Sequence, residues 1–182
     1  MQRWDEVSEK FSHVTDRIGR PIDKGIFETV VVLNSLGIAT SASCEGHLDH
    51  GLPHPWIDVE LPEPINHDTP EIAQMREDIR ERQVRFLKSY TPEMKKLQQE
   101  TQQMQREACF KLFSILSEFY KDRVVSYDRM ITFNVLGRIR SQGGDYLSLL
   151  PEGERAMRMN EYQEEMRAFT EFLKSIYFSR EE

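Results

Sequence analysis

The stretch IATSASCEGHLDHGLPHPWIDVEL, residues 38–61, carries the two patterns that decide the fold. Its first part, 38–43, is rich in small and β-branched residues and predicts a short strand that ends at Cys44. Its last part, WIDVEL at 56–61, alternates strictly between apolar and polar residues, which is typical of a half-buried strand. Two such strands joined by a loop that contains glycine and proline predict an antiparallel pair with a long connection.

Two later segments extend the predicted sheet. MITFNVLGRIR, residues 130–140, alternates in the same way and predicts a third strand with Arg138 and Arg140 on its polar face. YLSLL, residues 146–150, follows a Gly-Gly loop and predicts a fourth, short strand.

Helices are predicted on both sides of these strands by apolar residues at spacings of three and four and by capping residues. Thr69-Pro70-Glu71 and Thr91-Pro92-Glu93 each offer a threonine cap, a proline at the first helical position and an acidic residue in the first turn. The predicted helices cover about 4–18, 22–36, 70–89, 92–121 and 152–178.

These elements predict a single α+β domain over residues 1–182, with a small antiparallel sheet of three to four strands and helices on one face. The helical pair at 69–122 is expected to project partly from the body, because 95–107 is almost wholly polar. Its thin apolar seam consists of Leu97, Thr101 and Met104. That seam predicts pairing either with the preceding helix or with the 92–122 helix of a second chain, which would form a homodimer.

Composition limits the classes of function. A net charge of −7 argues against non-specific nucleic-acid binding. The chain contains no run of about 18 apolar residues and begins with no apolar segment of the signal-peptide type, so neither a membrane protein nor a secreted one is expected. The only two cysteines are Cys44 and Cys109. A cytoplasmic protein without disulfide bonds is the prediction.

The loop between the first two predicted strands holds one cysteine and three of the five histidines of the chain. Cys44, His47, His50 and His54 follow the spacing C-x2-H-x2-H-x3-H, and Gly46 gives the first turn the backbone freedom it needs. Thiolate and imidazole groups suit zinc, so these four side chains are predicted zinc ligands. If only three bind, water takes the fourth position and metal-assisted hydrolysis is the predicted chemistry.

Interpretations without a metal stay open for this loop. Cys44 could be a nucleophile whose pKa is lowered by His47 or His54, or the loop could be a polar connection with no chemistry. For the whole protein, the alternative to an enzyme is an interaction module that dimerises or binds a partner through its long polar helices. The metal content of the purified protein separates these interpretations.

Charged residues on the polar face of the predicted sheet form a second candidate site. Asp58, Arg138 and Arg140 lie on one side if the strands pair in register. Such carboxylate and guanidinium groups beside the Cys/His loop would bind a small anionic ligand. The alternative is a solvent-facing sheet with ordinary surface charges.

The segment around Cys44 also resembles known sequences. Leu36-Gly37-Ile38, then Thr40, then Ser43-Cys44-Glu45-Gly46-His47 is similar to a group of small bacterial and phage proteins of no established activity, over about residues 25–60. The resemblance implies a compact α+β domain with a site at Cys44 and His47. The same turn is faintly similar to the S-S-C-S-G-R segment of wybutosine-synthesis methyltransferases. Here His47 replaces the arginine, which argues against methyl transfer to RNA.

Overall fold

The computed structural model describes residues 3–16, 18–61, 69–85, 90–134 and 137–179. In chain order the described elements are α1 (Trp4–Ser12), α2 (Lys24–Ser35), β1 (Thr40–Cys44), β2 (Trp56–Val59), α3 (Pro70–Val84), α4 (Pro92–Tyr120), β3 (Ile131–Phe133), β4 (Arg138–Ser141), a 3-10 helix (Gln142–Leu149) and α5 (Glu152–Phe178). The predicted α+β class is therefore confirmed. Among the described residues, no helix has the length and apolar character that a membrane span requires.

The four strands form one antiparallel sheet in the order β1-β2-β4-β3. Ile57 of β2 lies opposite Ser43 of β1 on one side and opposite Ile139 of β4 on the other. The apolar face is buried, as the alternation of the strands predicts, and its buried residues are Ile57, Val59, Ile131, Phe133 and Ile139. The sheet places the carboxyl end of β1, at Cys44, beside the start of β2, at Trp56.

The segment predicted as one strand at 130–140 forms a hairpin instead. Gly137 has a φ of 85°, which favours glycine, and its amide donates to the carbonyl of Asn134, so the chain turns back and forms β3 and β4. Phe133 pairs with Ile139. Because these two positions are an even number of residues apart, the odd-numbered residues of both strands lie on the same face of the sheet. Arg138 and Arg140 therefore lie on the polar face that was predicted for them, although the prediction of one continuous strand is wrong.

Two other predicted elements differ from the structure. The first helix ends at Ser12, and Val14 and Ile18 of the predicted stripe are 39% and 73% exposed. The predicted fourth strand at 146–150 is wrong, because residues 146–149 belong to the 3-10 helix and Leu150 follows its end. Gly143 and Gly144 in the same helix pack closely, since an added Cβ would come within 2.3 Å and 2.8 Å of neighbouring side chains. The proline-rich connection at 62–68, the predicted helix end near 89 and the pair 135–136 lie outside the described residues.

Contacts between residues divide the chain into two compact units, one from Met1–Glu60 with Leu112–Glu182 and one from Leu61–Lys111. In the first unit, α2 packs against α5, and a buried hydrogen bond of 2.7 Å joins the hydroxyl groups of Thr29 and Thr170. Burial of most of α2 follows from its nearly continuous apolar face. This packing fixes the position of the start of α2, where the candidate site begins.

A buried carboxylate connects α5 to the end of α4 and to the segment that follows it. Glu165 is 1% exposed, and its oxygens accept hydrogen bonds from the hydroxyl of Tyr120 at 3.1 Å and from the guanidinium of Arg123 at 3.1 Å. The Tyr120 hydroxyl also accepts the amide of Ile131 at 2.6 Å. Burial, the largest cause, and the nearby carboxylate raise the pKa of Tyr120 above its usual value. The network connects α4, β3 and α5 through polar groups that form hydrogen bonds with one another.

The second unit contains α3 and the first part of α4, and it has a small apolar core of its own. Ile79 of α3 packs with Met94 and Leu97 of α4, and partly buried Ile72, Met75 and Tyr90 pack against them. Thr69 and Thr91 accept hydrogen bonds from the amides three residues further on, so both predicted caps are confirmed. The seam residue Leu97 thus has a partner helix within the chain. The homodimer and the single-domain organisation stay predictions.

Candidate metal centre

Asp23 stands immediately before α2, at the position where an acidic side chain usually caps the helix. Its carboxylate instead faces the Cys/His loop, where Oδ2 accepts the amide of Glu45 at 3.1 Å. The capping role is taken by Glu45, whose carboxylate accepts the amide of Gly25 in the first turn of α2 at 2.6 Å. This exchange brings the Asp23 carboxylate to the end of β1.

Gly46 allows the loop to turn sharply after Cys44. It has a φ of 88°, and an added Cβ would lie 2.7–2.9 Å from backbone atoms of His54. Only glycine fits this close approach. From α5, the side-chain amide of Gln163 donates to the carbonyl oxygens of Glu45 at 3.0 Å and of Gly46 at 3.4 Å. The turn is therefore packed against the backbone of His54 and hydrogen-bonded to Gln163 of α5.

Asp23, Cys44 and His47 converge at this turn. Each offers one potential ligand atom, and these three atoms lie within 4.8 Å of one another. His47 Nε2 is 3.2 Å from Asp23 Oδ2. Ligands of one tetrahedral zinc ion lie roughly 3–4 Å apart, because the bonds are about 2.0–2.3 Å long. Small side-chain movements would suffice for the three groups to bind one ion.

The electrostatics of the cluster favour a cation. Burial raises the pKa of the Cys44 thiol, and the negative charge of Asp23 raises it further, while the amide of Gly46 donates to the sulfur at 3.4 Å and opposes both effects. The thiol is free and half-buried. A bound divalent ion would remove the thiol proton and compensate the carboxylate charge.

His50 lies beside this cluster. Its ring stacks on that of His47 with the centroids 4.2 Å apart, and its Nδ1 lies 2.8 Å from the carboxylate of Asp49. This hydrogen bond is the main reason that the pKa of Asp49 lies below its usual value. His47, Asp49 and His50 form a second, more exposed group of potential ligands. The two groups share His47.

His54, the fourth predicted ligand, belongs to neither group of potential ligand atoms among the described residues. Its side chain is 1% exposed and lies against Gly144, where an added Cβ would come within 2.8–2.9 Å of the ring. Neither ring nitrogen has a hydrogen-bond partner among the described residues. Burial, with the positive charge of Arg140 next, lowers the pKa of His54 to about 4. His54 is therefore a buried imidazole that is neutral at pH 7, and its backbone packs closely against Gly46.

A groove of about 310 Å³ opens beside the cluster. Its lining includes all of β1, residues 14–16 and 20–22 between α1 and α2, and the candidate residues Asp23, Cys44, His47 and His50. The candidate ligands thus lie at a surface that a substrate could reach, rather than in a closed interior.

The three predicted anion-binding residues occupy the polar face of the sheet, as the register requires. Arg138 donates to Asp58 through Nε at 2.6 Å and through Nη2 at 2.8 Å, and its guanidinium stacks on Trp56 at 4.1 Å. Arg140 makes a two-bond ion pair with Asp145. Both guanidinium groups already have carboxylate partners, so the arrangement offers no support for a small anionic ligand, which stays a prediction.

Asp23 is not recognisable as a candidate ligand from the sequence pattern. It lies 21 residues before Cys44, and its only signal is its place as an acidic residue just before a helix, which more often indicates a cap. Comparison of the chain with protein-family models, with curated proteins and with solved structures finds no match. The resemblance of the Cys44 segment to small bacterial and phage proteins therefore stays a prediction, and the geometry of the cluster alone supports a function.

Proposed function

We propose that Asp23, Cys44 and His47 bind one zinc ion and that the protein is a metal-dependent hydrolase. The observation that carries the proposal is the convergence of a carboxylate, a thiol and an imidazole within 4.8 Å at the mouth of a groove. Zinc sites with three protein ligands keep a fourth position for water, and the ion lowers the pKa of that water. Metal-assisted hydrolysis uses such a water as its nucleophile.

The groups around the three ligands support the same function. Glu45 and Gln163 hold the turn that carries Cys44 and His47, which is the orienting role that surrounding residues have in metal sites. His50 stacks on His47, so its imidazole is a candidate to accept a proton from the water if an ion is bound. Its ring is half exposed and reaches the groove.

Metal binding is tested by elemental analysis and by cobalt(II) titration of the metal-free protein. About one zinc ion per chain is expected, together with the charge-transfer absorption of a cobalt–thiolate bond. Cys44→Ser, Asp23→Asn and His47→Ala should each weaken binding by more than about 100-fold, because each removes a direct ligand. Cys109→Ser, Asp5→Asn and His13→Ala are matched controls at positions outside the cluster, and they should bind normally.

Hydrolysis is tested with a small activated ester, p-nitrophenyl acetate, which does not require the groove. Zinc-dependent turnover that disappears in Cys44→Ser supports the proposal. Protein that takes up neither zinc nor cobalt would overturn it. His50→Ala separates two roles, because loss of turnover with zinc retained assigns proton transfer, whereas loss of zinc assigns ligation.

A further inference from the structure

One wall of the groove is the edge strand of the sheet. In the described order β1-β2-β4-β3, β1 has a neighbouring strand on one side only. The residues of this strand that line the groove before Cys44 are all small, namely Thr40, Ser41, Ala42 and Ser43. Ser41 and Ala42 are exposed. Small side chains leave the backbone of an edge strand accessible to another extended chain.

The rest of the lining includes apolar residues. Phe11, Val14, Pro21 and Ile22 contribute to it beside the polar residues Thr15, Asp16 and Arg20, and Val14 is 39% exposed. A chain in the groove would therefore meet the hydrogen-bonding groups of β1 and apolar surface for its side chains. That combination is the one that strand-addition sites use, with the backbone giving affinity and the pockets giving selectivity.

The charge of the site disfavours an anionic substrate. A zinc ion bound by the Cys44 thiolate and the Asp23 carboxylate forms a centre with no net charge, because two negative ligands offset the two positive charges. The groove lining adds Asp16 and Arg20, which also offset each other. Phosphate or sulfate groups would find no surplus positive charge here. A neutral amide backbone fits better.

We infer that the substrate is an extended peptide, which pairs with the free edge of β1 as an additional strand and presents a carbonyl group to the metal centre at Cys44. This inference rests on the proposed function. The strand edge leads directly to the cluster, since Cys44 is the last residue of β1. A peptide held in register with the edge therefore has its backbone at the candidate ion.

The reaction is hydrolysis of a peptide bond. The water oxygen forms a bond to the carbonyl carbon, and the bond between that carbon and the amide nitrogen breaks. One water proton moves to the leaving amine, and the other leaves from the new carboxylic acid. No electrons are exchanged, and water is the only co-reactant.

The test uses the zinc-loaded full chain and dephosphorylated β-casein as an unfolded probe. Mass spectrometry of the products is expected to show zinc-dependent fragments. Ser41→Lys places a long cation on the strand edge, as natural edges do to prevent pairing, and should lower kcat/KM for casein at least tenfold. Ser148→Lys makes the same change at an exposed serine away from the groove and should leave kcat/KM unchanged. Ala42→Lys is a second variant on the same edge.

Zinc content and p-nitrophenyl acetate hydrolysis are measured for every variant. Normal values for both in Ser41→Lys, together with lost casein cleavage, support strand addition. Zinc binding and ester hydrolysis by a wild-type protein that leaves casein intact would overturn the peptide assignment and keep the hydrolase. Casein cleavage that both edge variants retain would overturn pairing with β1. Failure to bind zinc would remove the proposed function itself.

Discussion

The carboxylate of Glu45 accepts a hydrogen bond from the amide of Gly25 at 2.6 Å and so occupies the start of α2, whereas the neighbouring carboxylate of Asp23 accepts the amide of Glu45 at 3.1 Å and lies 3.2 Å from His47 Nε2. A helix start carries partial positive charge and unsatisfied amide groups, so it needs an acceptor. Because Glu45 lies between Cys44 and Gly46, this single hydrogen bond also anchors the loop that carries the thiol. Capping and site geometry are thus coupled.

Replacement of Gly25 by alanine tests this coupling without removal of a ligand. An added Cβ would lie 2.6 Å from the Glu45 carboxylate oxygen, so the carboxylate must move away from α2. Zinc affinity is expected to fall about tenfold, in the range known for groups that orient metal ligands. Isothermal titration with zinc measures it.

Gly153→Ala is the matched control, because Gly153 is also the second residue of a helix, α5, and an added Cβ there meets nothing within 4 Å. It should leave zinc affinity unchanged and stabilise the fold by up to about 1 kcal/mol. Equal zinc affinity in both variants would contradict the coupling of Glu45 to the site.

The fold was largely predictable because its signals are local. Alternation in 56–61 and the Thr-Pro-Glu starts of α3 and α4 report on residues close in sequence, and the structure confirms them. The hairpin at Gly137 was missed because its strands are short and keep the same alternation through the turn. The 3-10 helix was not predictable in the same way, because Gly143 and Gly144 pack against Tyr162 and His54, and no local pattern shows such long-range contacts.

The candidate site was predictable only in part. Cys44 and His47 are three residues apart, so a turn at Gly46 could be inferred from the sequence alone. Asp23 lies near Cys44 and His47 because of the way α2 packs. The spacing of residues along the sequence does not indicate such a long-range contact. For His54 the sequence was misleading in the opposite way. It lies close to Cys44 and His47 in sequence and was predicted to be a ligand, whereas its side chain is buried against Gly144.

Stability at acidic pH should depend on His54. Its folded pKa of about 4 lies below the value near 6.5 of an unfolded chain, so the unfolded state binds more protons between these values. The stabilisation is therefore fully present above pH of about 6.5 and is lost as the pH falls toward about 4, by about 3 kcal/mol. Urea unfolding at several pH values measures the slope.

His54→Leu replaces the imidazole with an apolar side chain that cannot titrate. The variant should lose most of the decline in unfolding free energy between pH 6.5 and 5, a window above the range in which most carboxylates titrate. An unchanged slope in His54→Leu would show that other groups cause the acid sensitivity.

The buried Glu165 should contribute strongly to stability. Glu165→Ala leaves the Tyr120 hydroxyl and the Arg123 guanidinium without their shared acceptor, and the free energy of unfolding should fall by about 3 kcal/mol. Thermal and urea unfolding measure the change. Glu164→Ala is the control, because that side chain is 60% exposed and lies 4.0 Å from Arg129. It should change stability by less than about 0.5 kcal/mol, and a similar loss in both variants would contradict a special role for Glu165.

The Arg138 guanidinium combines a two-bond pair with Asp58 and stacking on Trp56. Lysine keeps the charge but forms neither the paired hydrogen bonds nor the planar stack, so Arg138→Lys should destabilise the protein by about 1 kcal/mol. Arg85→Lys changes an exposed ion pair with Glu81 and should have almost no effect. Chemical unfolding compares the two, and equal stabilities would show that geometry at Arg138 contributes little.

Gln163 reaches back from the last helix to hold the carbonyl of Glu45, a contact that spans 118 residues of sequence. During synthesis on a ribosome, the amino-terminal half emerges first, and β1 and its loop are exposed before α5 exists. The turn at Cys44 can be secured only after residue 163 has left the exit tunnel and α5 has packed on α2. Maturation of the cluster is thus a late event in folding, and a chain truncated before α5 would present its thiol and histidines on an unsupported loop.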